Sequence, residues 1–162
     1  MPDYEIPYLN GYKKSRSMPN ATQVIKDYGP FPFVTDIEKV TEANDTFRTA
    51  LWTGSNLQLT LMSIPKGETI GLERHDNIDQ FIRIEDGKGL VMMGNSPDAL
   101  NFQQQVSSGD SFIIPAGTWH NLVNTGATPI KLYSIYAPIK HPFGTVQPTK
   151  ADAEAAEAAK QK

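Results

Sequence analysis

The chain contains no cysteine. Disulfide staples and thiolate chemistry are therefore excluded, and any metal site must be built from imidazole, carboxylate and amide ligands. Histidine is scarce too, with three in 162 residues. Long apolar runs are missing: no stretch approaches the roughly 18 residues that a membrane-spanning helix needs, so a membrane partner is not expected. Basic residues are not in excess, at 15 Lys and Arg against 18 Asp and Glu, for a formal net charge of -3. Phosphate recognition needs a clustered surplus of Lys and Arg, so nucleic acid is not an expected partner, and no DNA-reading helix pair is visible. The opening segment, MPDYEIPYLNGYKKSRS, has no apolar core behind its charges. No secretory signal is read there, and a cytoplasmic location is the expectation.

What is present is an ordinary globular composition, 39% hydrophobic and 20% charged, in a chain suited to one core. Residues 1–45, with Pro2, Pro7, Pro19, Pro30 and Pro32, read as an irregular arm packing on the rest, with at most one short helix around Ala21 to Tyr28. From about Phe47 short apolar runs alternate with turn signals: FRTALWTG, NLQLTLMSI, FIRIEDGKG, LVMMGNSPD, NFQQQVSSGD, SFIIPAGT, HNLVNTGATP and IKLYSIYAP. Breaks every 8 to 12 residues or so, each marked by Gly, Pro, Asn or Asp, point to an all-β sandwich or barrel over residues 46–140. Residues 141–162 read as a loop and a short, solvated C-terminal helix. Its start is marked by Thr149 and Asp152, a variant of the capping box.

The stretch GLERHDNIDQF breaks the apolar pattern. Residues two apart in a strand share a face, so Glu73 and His75 project the same way. Gln80 opens the next strand, and a hairpin can bring it alongside His75. Much later, His120 follows a Pro-x-Gly turn that can aim a side chain inward. Together Glu73, His75, Gln80 and His120 supply two imidazoles, one carboxylate and one amide oxygen. That set suits one divalent ion of Zn, Mn, Fe, Ni or Co. Gln80 has a second reading, as a hydrogen-bonding residue in a polar lumen. Asn124 reads as structural, closing a turn. His141, in KHPFGTV, lies outside this cluster and reads as a surface histidine on a loop that could lid the barrel, or less readily as a general acid or base.

These residues carry a resemblance to the cupins. The first cupin motif, G-x5-H-x-H-x3-4-E-x6-G, lies over Gly67 to Gly87 with every spacing kept, placing Glu73 and His75 at the two histidine positions and Gln80 at the glutamate position. The second, G-x5-P-x-G-x2-H-x3-N, is matched by Gly109, Pro115, Gly117, His120 and Asn124. The resemblance implies a double-stranded β-helix, or jelly-roll barrel, with an irregular N-terminal arm and a short C-terminal helix. It also implies a metal in the barrel and a small-molecule ligand or substrate. The usual three histidines and one glutamate are here two histidines, one glutamate and one glutamine. The carboxylate is kept but moved to another corner.

If Glu73 and His75 face the lumen, then Ile70, Leu72, Arg74, Phe81 and Arg83 face outward. Exposed Ile and Leu on a sheet need cover from the arm or a second subunit, and cupins resembling this chain commonly dimerise through their sheets, so a homodimer is expected. Ile82, Ile84, Phe112 and Ile114 are expected to make the lumen largely apolar. The functional expectation is a small metal-dependent enzyme acting on a small oxygenated organic compound, by dioxygenase-type or isomerase/lyase-type chemistry, with Glu73 or a bound hydroxide moving protons. The alternative is a non-catalytic small-molecule-binding or storage module with a vestigial metal site.

Overall fold

In the computed structural model, which describes residues 24–160, the eight apolar runs become eight strands. They are β1 (Arg48–Thr53), β2 (Gln58–Ile64), β3 (Asp79–Asp86), β4 (Lys88–Gly94), β5 (Phe102–Ser107), β6 (Ser111–Ile114), β7 (Trp119–Asn124) and β8 (Ile130–Ala137). A two-residue strand, β9 (Val146–Gln147), pairs with β1. All pairings are antiparallel, in a six-stranded sheet of order β6-β3-β8-β2-β1-β9 and a three-stranded sheet of order β5-β4-β7. The architecture is a double-stranded β-helix, as the turn spacing and the motifs lead one to expect. Among the described residues no helix is long and apolar enough to cross a membrane.

Register sorts the inner face of the larger sheet into rows, because residues directly opposite one another project the same way. One row is polar: Gln80 and Gln58 both pair with Tyr136, and all three are buried. The next is mixed, with Ile82 and Thr60 flanking Ser134. The third is apolar, with Ile84 and Met62 flanking Leu132. The lumen is therefore graded along its axis rather than uniformly apolar. Ile82, Ile84 and Ile114 do lie in its core, with Phe112 packed against them.

The outer face of β1 and β2 is covered by the segment before them. Ile25, Tyr28, Phe33, Ile37 and Val40 pack on Leu51, Leu59 and Leu61, so the described part of the arm supplies cover that β1 and β2 need. Of the short helix expected around Ala21 to Tyr28, residues 21–23 lie outside the described residues, and residues 24–28 are not helical. Asp27 explains this: its Oδ1 accepts from Gly29 N at 3.0 Å, and its Oδ2 accepts from Thr53 Oγ1 and Gly144 N. Those bonds replace the helical ladder with a turn tied to the barrel. The helix in this region is instead α1 (Ile37–Ala43), N-capped by Asp36, whose Oδ1 accepts from Lys39 N.

The C-terminal helix α2 (Lys150–Lys160) starts with the reciprocal capping bonds that its sequence announces. Thr149 N and Oγ1 both donate to Asp152 Oδ2, and Asp152 N donates back to Thr149 Oγ1. It is not freely solvated. Ala153 is buried in the main core, and Lys150 Nζ donates to Thr69 Oγ1 at 3.0 Å.

Candidate metal centre

Two glycine-bearing turns and one short backbone bridge bring the polar residues together. Gly67, Gly87, Gly109 and Gly117, the four motif glycines, all have positive φ, which L-residues with side chains rarely adopt. The turn at Gly117 is tied to the first motif by Gly117 N donating to His75 O at 2.7 Å. Glu73 and His120 then exchange both backbone hydrogen bonds, at 3.1 and 2.9 Å, as an isolated antiparallel pair. So the first motif is not a regular strand over Gly71 to His75. Only Glu73 pairs, and Gly71 with φ 95° interrupts the alternation. This corrects the outward placement of Ile70, which is buried in the core, whereas Leu72 and Arg74 do face out. Arg74 pairs with Asp76 at 2.8 Å and lies over the Trp119 ring. Asn124 closes the β7–β8 turn, donating to Ile64 O and Thr128 O and accepting from Gly126 N.

The ligating atoms of Glu73, His75 and His120 lie within 4.8 Å of one another. Glu73 Oε1 is 3.5 Å from both His75 Nε2 and His120 Nε2. That is long for a hydrogen bond. It is close to the ~3.0–3.4 Å separating two donors that share one ion at about 2.1 Å. The tautomer of His120 sharpens the point. Its Nδ1 lies 2.9 Å from Thr118 O, a group that only accepts, so the ring proton sits on Nδ1 and Nε2 turns its lone pair toward the carboxylate. A carboxylate facing a neutral imidazole's lone pair needs a cation between them, either a proton on Nε2 or a metal ion. His75 Nδ1 and Nε2, His120 Nε2 and Gln80 Oε1 are all buried without a hydrogen-bond partner among the described residues. Buried polar atoms left unpaired are costly, and a metal removes that cost for one nitrogen of each imidazole. The residues present fit a divalent ion.

Gln80 sits on the inner face of β3, with Nε2 donating to Ser134 Oγ at 2.8 Å. Its amide nitrogen is thereby committed, and its oxygen is left free. Burial by itself pushes Glu73 upward, but His120 and His75, with Arg48 acting through space, outweigh it and hold the carboxyl well below the usual range. The group is an anion, as a ligand must be.

The site opens into a cavity of about 550 Å³, lined by Glu73 and His75, by Phe47, Arg48 and His141, and by α2 residues including Lys150 and Glu154. That is within the ~300–1,000 Å³ usual for small-molecule pockets. His141 is not a surface residue. It is buried, its backbone is clasped by Gln58 through bonds of 2.9 Å in each direction, and its ring meets Tyr136 edge to face at 5.2 Å. Desolvation, with Arg48 adding to it, pushes His141 down to about 2. Sequence reasoning missed Arg48, Tyr136 and the α2 wall. Arg48 stands in an apolar run whose alternation gives no sign that a guanidinium turns inward.

The cupin-domain family model matches residues 60–136. The chain is 63% identical over 134 residues to the uncharacterized protein YrkC of Bacillus subtilis, covering 83% of this chain and 72% of that one. It is 36% identical over 115 residues to the uncharacterized protein L612 of Acanthamoeba polyphaga mimivirus, covering 70% of each. A crystal structure of a Bacillus halodurans protein, BH2720, is 59% identical and superposes with a TM-score of 0.80, covering 81% of this chain and 99% of that one.

Proposed function

Because this chain belongs to the cupin superfamily, we propose that Glu73, His75, Gln80 and His120 hold one divalent ion, of Zn, Mn, Fe, Ni or Co, and that the protein uses it as an enzyme on a small oxygenated organic compound. The observation that carries this reading is the pair of 3.5 Å contacts from one carboxylate oxygen to two imidazole nitrogens, one of which has its tautomer fixed for ligation. Bound there, the ion supplies Lewis acidity to an oxygen-chelating ligand.

The chain's own groups do the rest. Thr118 O and Ser134 Oγ orient the His120 ring and the Gln80 amide. Lys150, Ala153 and Glu154 of α2 wall one side of the cavity. Proton movement falls to Glu73, whose carboxylate is the catalytic candidate. His141 is not assigned that part, because its backbone is clasped by Gln58 and its ring is packed on Tyr136, away from the Glu73–His75–His120 cluster. Tyr136, raised by burial, stays a phenol. The chemistry is therefore metal-centred, of dioxygenase type with iron or of isomerase or lyase type with a redox-inert ion. A cytoplasmic location and a homodimer belong to the same proposal. Exposed Ile113 and Leu72 are the apolar surface that a second subunit would cover, and a strict monomer by light scattering contradicts that.

The alternative, a non-catalytic binding or storage module, draws on the two substituted ligand positions. Turnover separates the two. Iron-loaded and zinc-loaded protein is incubated with a panel of α-keto acids and α-hydroxy ketones, with oxygen uptake and products followed. Consumption that Glu73→Gln abolishes is expected. Ligand binding without any turnover, under either metal, would leave the storage module.

A further inference from the structure

Arg48 is a buried cation of the cavity whose neighbours, Glu73 acting through space and the Tyr136 hydroxyl as a hydrogen-bond partner, answer it without an ion pair. It is 5% exposed, and its Nη1 donates to Gln147 Oε1 at 2.8 Å. Its Nε is buried with no partner among the described residues. Within them it forms no ion pair, whereas its charged neighbours in the cavity do: Arg74 with Asp76, Lys150 with Glu68 and Glu154, and Glu157 with Lys160. Lys140, at the rim, is partly exposed and can be answered by water. A buried guanidinium without a carboxylate is costly, and Arg is rarely buried unless paired. Glu73, on the same cavity wall, is committed to the two histidines. Once a divalent ion takes up that carboxylate, the ion, Glu73 and Arg48 together leave two net positive charges around one small, half-enclosed space.

We infer that Arg48 is an anion anchor, and that the ligand of this cavity is a small chelating carboxylate, of the α-keto or α-hydroxy acid class, whose negative group docks on the Arg48 guanidinium. The inference rests on the metal reading above for the chelating half of the ligand, and on Arg48 alone for its charge. The planar fork of arginine suits a carboxylate's two oxygens, and among the described residues no group accepts from the buried Nε. Gln147 holds the other edge of the fork from β9, fixing the plane. The guanidinium lies over the Phe47 ring, with Cζ 5.5 Å from its centroid, so a cation–π contact helps position the side chain without a carboxylate of its own.

The test compares pyruvate with pyruvamide, which keeps the shape and the chelating oxygens but lacks the charge. Each is titrated calorimetrically into zinc-loaded wild type, Arg48→Gln and Arg48→Lys, with the metal content of every sample measured. The wild type is expected to prefer pyruvate, Arg48→Gln to bind pyruvate about tenfold or more weakly with pyruvamide binding unchanged, and Arg48→Lys to fall between. Equal pyruvate affinity in wild type and Arg48→Gln at one metal per chain overturns the anchor and leaves the metal reading standing. Absence of pyruvate binding by the wild type also overturns it. If the wild type holds no zinc, the metal reading falls, and the same comparison on the metal-free proteins still decides whether Arg48 selects for charge. Should Arg48→Gln fail to fold, Arg48→Lys decides: a severalfold loss supports the anchor, and wild-type affinity overturns it.

Discussion

At the scale of single residues, the chain keeps three histidines and buries every one of them. Two face Glu73 across 3.5 Å, and the third is buried beside Tyr136 at the cavity wall. The third has a measurable signature. In the unfolded chain His141 takes a proton near its ordinary 6.5, while the folded protein resists protonation down to about 2. Above pH 6.5 both states are neutral there and the residue adds no pH dependence. Below it the unfolded state binds more protons, so stability falls as pH falls, through the window from 6.5 toward 2. Between pH 6.5 and 5 the loss amounts to about 2 kcal/mol. Denaturant unfolding of the wild type and His141→Gln at both pH values checks this. The variant is expected to lose less stability on acidification by roughly that amount; equal losses would mean that His141 is open to solvent protons.

At the scale of elements, each strand could be read in the sequence because its apolar run ends in residues that make turns. Gly87 shows how strictly one of those ends is specified. Its φ is 97°, and a Cβ there would meet Ile130 Cα and Pro129 O at 2.9 Å, both backbone atoms that cannot step aside. Gly87→Ala is therefore expected to destabilise by about 2–3 kcal/mol, combining left-handed strain with overpacking, and thermal melting checks it. A change within 0.5 kcal/mol would mean that the β3–β4 turn has another conformation open to it. The elements that differ from the sequence expectation are those decided by tertiary contact. Residues 24–28 give up helix for the bonds of Asp27 to Thr53 and Gly144, which lie far away in sequence. The C-terminal helix reads as solvated because alanine carries little hydrophobic signal, yet Ala153 docks in the core because its small side chain allows close approach. Period-two reasoning puts Ile70 on the wrong face because it assumes an unbroken strand, and Gly71 breaks it.

At the scale of the whole molecule, the barrel works as a graded vessel. Its apolar end, around Ile84, Leu132 and Met62, supplies the packing, and its polar end holds the converging donors. Motif spacing made the cluster of Glu73, His75 and His120 legible, and it adds Gln80 as the proposed fourth ligand. Spacing could not announce the wall that Arg48 and α2 contribute, since Arg48 opens the first strand, α2 follows the last, and they meet only when the barrel closes. A ligand that binds the folded state alone also stabilises it, so metal and fold are thermodynamically linked. The most direct measurement is elemental analysis of untagged protein purified under metal-replete conditions, with Glu73→Ala and His120→Ala alongside. One divalent ion per chain in the wild type, lost from both variants, is the predicted result. A metal-free wild type, or retention of the ion in either variant, would contradict the proposed centre.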